Sequence, residues 1–162
     1  MAANETLAIW EAIAGTPPAA SAATPDTRNA HVVLDFDADA NETSYFSSVL
    51  PKHYAGGNIA CKLHWMATSA TSGNVRWSAA FERLEANGRD LDSNGFQTSV
   101  EATAAANGTS GKVAVTTLTI TALGGAVAGD AFRVAVTRVA TDGTHDTMTG
   151  DAELLRVELV EA

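Results

Sequence analysis

The amino-acid sequence predicts an all-β domain: a jelly-roll-like antiparallel β-sandwich of about eight strands over residues 30–162, behind a short N-terminal arm at residues 1–29. Three observations carry this. From His31 onward, apolar runs are separated by turn clusters at the spacing expected of a sandwich or barrel. Within those runs, apolar and polar residues alternate with period two. The composition, 46% hydrophobic against 18% charged over 162 residues, is that of one folded domain with a sizeable core.

The elements follow in order. Leu7, Trp10, Ile13 and Ala14 fall at helical spacing after Asn4, an acceptable N-cap. Gly15 closes that stretch and Pro17-Pro18 prevents its continuation. Residues 19–27 are almost all Ala, Ser, Thr and Pro, with little to bury. A helix this short is marginal alone in water. Two readings follow: a frayed terminus, or an arm that orders against a neighbouring subunit through Leu7, Trp10 and Ile13.

Strands are expected at His31–Phe36, Thr43–Leu50, Asn58–Ala67, Val75–Leu84, Phe96–Ala104, Lys112–Ala122, Ala131–Ala140 and Glu153–Val160. Between them lie Pro51 with Gly56-Gly57, Ser69–Gly73, Asn87-Gly88, Asn107-Gly108, Gly124-Gly125 and Asp142-Gly143, turn clusters whose Gly and Asn suit positive φ. Ile59, Cys61, Leu63 and Trp65 share one face, as do Val75, Trp77, Ala79 and Phe81. Phe132, Val134 and Val136 repeat the pattern, as do Leu155, Val157 and Leu159. One strand slips phase: Val113 and Val115 oppose Leu118 and Ile120, which predicts a bulge near Thr116-Thr117 or burial on both faces at a subunit contact. A jelly roll and a differently wired sandwich both satisfy this periodicity.

Charge narrows the function. A net charge of -9 repels phosphate backbones and anionic headgroups, so neither nucleic acid nor a membrane is expected as a partner. No apolar run reaches the ~18 residues of a membrane span. Residues 1–6 carry Glu5 and no Lys or Arg, so no secretory leader is expected. The lone Cys61, on the apolar side of its strand, is expected to be a buried thiol and not a nucleophile.

The strongest motif is Asp90-Leu91-Asp92-Ser93-Asn94-Gly95 with Glu101, which satisfies the calcium-loop pattern D-x-[DN]-x-[DN]-G-x5-E. Flanking Asn87-Gly88 and Asn107-Gly108 deny it the two helices of an EF-hand. The expected role of Asp90, Asp92, Asn94 and Glu101 is a polar connection between strands, with calcium as the alternative occupant. Asp35, Asp37 and Asp39 form a second alternating triplet, read as the wet face of an edge strand, with a divalent-ion site as the alternative. His31, His53, His64 and His145 show no metal-ligand spacing, and no G-x-S-x-G elbow is present. No catalytic site and no cofactor are expected.

Alanines at positions 60, 80, 102, 104, 131 and 135 fall on faces otherwise assigned to solvent, leaving flat surface on which a subunit could pack. Several segments, taken in order along the chain, also resemble one family. They are Ala23-Thr24-Pro25-Asp26-Thr27-Arg28-Asn29, Val33-Leu34-Asp35-Phe36-Asp37, Val49–Gly57, Leu63-His64-Trp65 with the Thr68–Asn74 turn, Ala80-Phe81-Glu82-Arg83 and Asp146–Leu154. Together they resemble small structural proteins of tailed bacteriophages. The resemblance implies a non-enzymatic virion protein made in the host cytoplasm: an outer capsid decoration protein, a homotrimer clamping neighbouring copies of the major capsid protein on the capsid exterior. A tail or fibre component is the alternative within virions.

From a different class comes a glycan-binding sandwich module, which needs exposed aromatics on which a sugar ring can stack. Trp65 and Trp77 alternate with the core, leaving Tyr45, Tyr54 and Phe96 near loops as the candidates.

Overall fold

A computed structural model of the chain describes residues 4–162. Its elements are β1 (Thr6–Glu11), a 3-10 turn (Ala12–Ala14), β2 (Thr24–Arg28), β3 (His31–Phe36), β4 (Glu42–Val49), β5 (Ile59–Ala67), β6 (Asn74–Leu84), β7 (Val100–Ala105), β8 (Ala114–Ile120), β9 (Ala131–Arg138) and β10 (Ala152–Glu161). Every neighbouring pair is antiparallel. One sheet has the order β2-β3-β10-β5-β8, with β1 also on β10; the other has the order β4-β9-β6-β7. The eight strands β3–β10 thus form two facing four-strand rows, 3-10-5-8 and 4-9-6-7, which is the jelly-roll wiring.

All eight expected strands are present. The inward-facing sets are buried as alternation requires: Ile59, Cys61, Leu63 and Trp65 from β5 meet Val75, Trp77, Ala79 and Phe81 from β6, all of them fully buried. Between the sheets Trp65 and Trp77 pack edge to face at 5.9 Å, and Phe81 stacks on Phe132 at 5.1 Å.

The N-terminal segment differs most from expectation. Residues 6–11 are not a helical arm but a strand, antiparallel to β10 with Trp10 opposite Val157. The reason lies in β10, which has ten residues. On that side β3 pairs only with Ala152–Leu154, leaving Arg156–Val160 without ladder partners. A strand satisfies those groups; a short helix could not. Leu7 is consequently buried, and Trp10 packs against Phe46 and Phe132 at 5.7 and 6.0 Å while its indole N–H donates to Ser47 O. Gly15 then lets the chain pass over β4, because a Cβ there would lie 2.4 Å from Ser44 Oγ. Thr16 and Ala22 bridge to that strand. β2 pairs with β3 through a two-residue turn in which Asn29 and Ala30 both have positive φ (47° and 65°). Residues 4–28 therefore belong to the sandwich, and the expected boundary at residue 29 falls inside a hairpin.

The observed registers correct the expected phasing in two places. β8 pairs with β5 in unbroken register, so no bulge occurs at Thr116-Thr117: Thr116, Leu118 and Ile120 face the core while Val113 and Val115 remain exposed. The register shift lies in β10 between Leu154 and Arg156, which turns Leu155 outward and brings Leu154 into the core in its place. The fifth expected strand starts at Val100 instead of Phe96.

Candidate functional site

The outer face of the β4-β9-β6-β7 sheet carries an organised group of polar and aromatic side chains, from buried (Glu82, Ser78) to half-buried (Tyr45, Arg133, Thr43, Thr137). Strand register arranges it in rows. Tyr45, Ala135 and Ala80 lie abreast on β4, β9 and β6; Ser47, Arg133 and Glu82 form the next row; Thr43, Thr137, Ser78 and Glu101 form the row on the other side. Ala80 and Ala135, two of the alanines expected on a contact face, present little more than Cβ here, so the middle row is low. Ala102 and Ala104, from the same expected set, turn inward and pack against the core.

At one end of this face the β6–β7 connection folds back over the sheet. Gln97 N–H donates to Phe81 O at 2.8 Å, and this sets the Phe96 ring beside Tyr45, with ring centroids 5.3 Å apart and planes inclined by 30°. The Arg133 guanidinium lies over both rings, 4.7 Å from the Tyr45 centroid and 4.8 Å from that of Phe96. Such contacts contribute about 0.5–1 kcal/mol each near a surface. Arg133 is held from beneath by Glu82, which is 1% exposed. The other oxygen of Glu82 accepts from Asn94 Nδ2 at 3.2 Å. The buried carboxylate is thus fully engaged, and the guanidinium is fixed while remaining about a third exposed.

The polar row beyond the alanines is also pre-arranged. Thr43 and Thr137 hydroxyls are 2.7 Å apart. Arg76 donates to Glu101 at 2.7 Å through Nη2 and to Thr103 at 2.9 Å through Nη1. The face therefore combines an aromatic pair, a planar donor and a bank of hydroxyls on rigid strands, a constellation suited to an amphipathic, hydroxyl-rich ligand.

The calcium-loop residues are not brought together. Asp90 closes a local turn, accepting from Asp92 N–H and from the Ser93 and Asn94 backbone; Asn94 turns inward to Glu82; Glu101 is on β7, paired with Arg76. Among the described residues, no group of three or more His, Cys, Asp or Glu is placed to hold a metal ion. Of the residues expected to contact a partner, Leu7 and Trp10 serve the core, and Ile13 stands 71% exposed on the 3-10 turn. Tyr54 is buried, with its hydroxyl donating to Gly57 O at 2.6 Å, and does not join the aromatic pair. Burial pushes the Cys61 thiol up to about 12.

Asp35, Asp37 and Asp39 do not form one wet row. Asp35 is partly buried between β2 and β10, and burial, followed by the charges of Glu153, Asp26 and Asp151, pushes its carboxyl up to about 6. Asp37 and Asp39 lie on the β3–β4 turn, where the Asp39 N–H donates to Asp37 Oδ1. Beside Asp35, Arg28 donates to Glu153 at 2.6 Å and borders a half-open hollow of about 420 Å³ shared with His31, Met66, Val113 and Leu155.

Sequence reading singled out Tyr45 and Phe96 but missed Arg133, Glu82, Thr43, Thr137 and Ser78. The outward phase of Arg133 is legible from the inward phase of Phe132 and Val134; its partners, 37 to 88 residues away, are not.

No family model matches the sequence, and no curated protein matches it. Solved structures do match in fold. The C-terminal CBM6 of LamC, a marine laminarinase from Zobellia galactanivorans, superposes with a TM-score of 0.54 at 10% identity, covering 96% of this chain and 99% of that one. The carbohydrate-binding module CBM6cm-2 of Cellvibrio mixtus lichenase 5A, in complex with cellotriose, gives 0.53 at 12% identity, covering 98% and 99%. The CBM36-1 domain of a multidomain xylanase from the hindgut metagenome of Trinervitermes trinervoides gives 0.50 at 12% identity, covering 96% and 97%. At these identities the likeness is one of fold.

Proposed function

We propose that this chain is a non-catalytic carbohydrate-binding module that holds its glycan against the outer face of the β4-β9-β6-β7 sheet. The observation that carries the reading is the Tyr45–Phe96 pair fixed by Arg133 on an otherwise small-residue, hydroxyl-lined face. A pyranose presents an apolar C–H face and an equatorial rim of hydroxyls. The C–H face covers an aromatic ring, while the rim exchanges hydrogen bonds with a guanidinium and with Thr and Ser hydroxyls. Rigid strands and locked rotamers lower the ordering cost on binding. The fold neighbours support the reading because they are carbohydrate-binding modules. The virion reading, with its homotrimer and capsid partner, stands on the sequence resemblance alone.

The test is affinity electrophoresis and titration calorimetry against a panel of soluble β-glucans, xylans, mannans and acidic polysaccharides. At least one should retard the protein, and Tyr45→Ala should weaken that interaction by at least about tenfold, or ~1.4 kcal/mol, with an unchanged melting transition. Binding that survives Tyr45→Ala and Phe96→Ala intact would remove this face from consideration. No retardation by any polysaccharide would remove the function.

A further inference from the structure

We infer that β8 is a self-complementary edge through which two copies of this chain pair antiparallel into a twofold dimer. The other sheet edges are closed against strand addition. β2 carries Pro25, Asp26 and Arg28, the proline and charges that discourage strand addition. β4 is covered by the N-terminal crossing, with Thr16 and Tyr45 exchanging both backbone hydrogen bonds (2.8 and 2.9 Å) and Thr43 bonded to Ser21 O. β1 is bulged at Thr6/Ala8 and ends in Glu11. β7 is short and carries Glu101.

β8 has none of these devices. Its sequence is Ala114-Val115-Thr116-Thr117-Leu118-Thr119-Ile120, and no charged residue occurs between Lys112 and Asp130. It pairs with β5 on one side, and among the described residues its backbone makes no hydrogen bond on the other. Val113, just before the strand, and Val115, within it, are 43% and 54% exposed. An open ladder of this kind selects an extended strand as its occupant.

A second copy is the occupant the chemistry favours. In a chain of net charge -9, most self-contacts would set carboxylates against one another; this segment sets none. Full-length antiparallel pairing of residues 114–120 about a twofold axis centres on Thr117 and places Ala114 opposite Ile120, Val115 opposite Thr119, and Thr116 opposite Leu118. Opposed residues in an antiparallel pair share a face. This register keeps the inward set (Thr116, Leu118, Ile120) facing inward and the exposed set (Val115, Thr117, Thr119) facing outward in both copies. A one-residue slip would put exposed and buried positions opposite one another. The cross-strand pairs formed are rich in β-branched side chains, which suit a sheet. The interface is isologous and closed, so it yields a dimer in place of the homotrimer expected from the sequence, and it leaves the Tyr45 end of the opposite sheet free.

The experiment uses the full chain. Sedimentation velocity from low to high micromolar concentration should show a mass approaching two chains. Thr117→Lys, which opposes two ammonium groups across the axis, should raise the dimer dissociation constant by at least about tenfold while leaving the circular dichroism and melting of the monomer unchanged. Thr117→Cys provides a positive readout: Cα atoms opposed in an antiparallel pair lie about 4.5–5.5 Å apart, within disulfide reach, so mild oxidation should give a covalent dimer. Thr27→Cys on the β2 edge should not, and Cys61 is buried and does not compete. A monomer at every concentration, a trimeric mass, or a dimer indifferent to Thr117→Lys and unlinked through Thr117→Cys would each overturn the proposal.

Discussion

Removing the carboxylate of Asp146 should be among the most damaging single substitutions in this protein. Its partner, Arg138, lies wholly buried at the end of β9, and all five of its N–H directions are used. Nε and Nη2 reach the two oxygens of Asp146 at 3.0 and 2.8 Å, Nη2 also reaches Met148 O at 2.9 Å, and Nη1 reaches Phe36 O and Gly150 O at 3.1 and 2.9 Å. Asp146→Ala leaves the three carbonyl bonds but takes away the counter-charge in a site without solvent. Breaking one side of a buried pair costs about 3–5 kcal/mol, a large part of the ~5–15 kcal/mol that holds a typical domain together. For a chain of this size the melting temperature should fall by roughly 6–20 °C. Urea unfolding followed by fluorescence of the buried Trp65 and Trp77 measures the change directly. A loss below ~1 kcal/mol with an unchanged denaturant slope would refute the reasoning, since the pair would then be contributing no more than a surface ion pair. Asp146 Oδ2 also accepts from Arg76 N–H at 3.0 Å, so the same variant should loosen the outer-face contact of Arg76 with Glu101.

Two further outcomes are expected. Deleting residues 1–22 should lower the melting temperature sharply, and Trp10→Ala alone should cost roughly 2–3 kcal/mol, less than a fully buried tryptophan because Trp10 is half-buried; a truncated chain that melts with the full one would mean that β1 adds nothing to β10. Asp35, whose folded-state carboxyl lies near 6 and above its unfolded value, binds its proton more tightly when folded, so its contribution to stability is fully present below about pH 4 and is lost as pH rises to about 6. Asp35→Asn should abolish that slope and, allowing for solvent screening, stabilise the protein at neutral pH by about 1 kcal/mol; an unchanged slope in pH-dependent urea unfolding would assign it to other groups.

The core was legible because burial in a two-sheet sandwich writes itself into the sequence as alternation, and β5, β6 and β9 alternate cleanly. Register was less legible. A bulge adds one residue without a sequence mark: the sequence pattern points to Thr116-Thr117, yet those threonines continue an unbroken ladder, while Leu155 is the inserted residue. The N-terminal strand is hidden for a related reason. Leu7 and Trp10 are three apart, which in isolation is helical spacing, and the bulge between Thr6 and Ala8 is what lets both serve the core from a strand. What settles the matter is the open half of β10, almost 150 residues later, and no local window contains it. The turn at Asn29-Ala30 was hidden in the same way, because it uses positive φ without glycine.

The candidate site lies between these cases. Tyr45 and Phe96 were visible as aromatics that the core had not claimed. Their value as a ligand platform depends on a single bonded rung, Gln97 N–H to Phe81 O, that folds the β6–β7 connection over the sheet. It depends equally on Arg133, whose charge is balanced by Glu82 from the adjacent strand. That balance bears on the chemistry of recognition. With Glu82 buried against it, Arg133 offers its remaining N–H groups with little net charge behind them, which suits donation to neutral hydroxyls better than capture of an anion. Arg76, paired to Glu101 across the same face, is muted in the same manner. An overall charge of -9 pushes in the same direction, since an acidic polysaccharide would be repelled before it reached the face. Within the polysaccharide panel, the neutral members are therefore the ones expected to bind, and the acidic ones should bind more weakly at low ionic strength and recover as salt screens the repulsion.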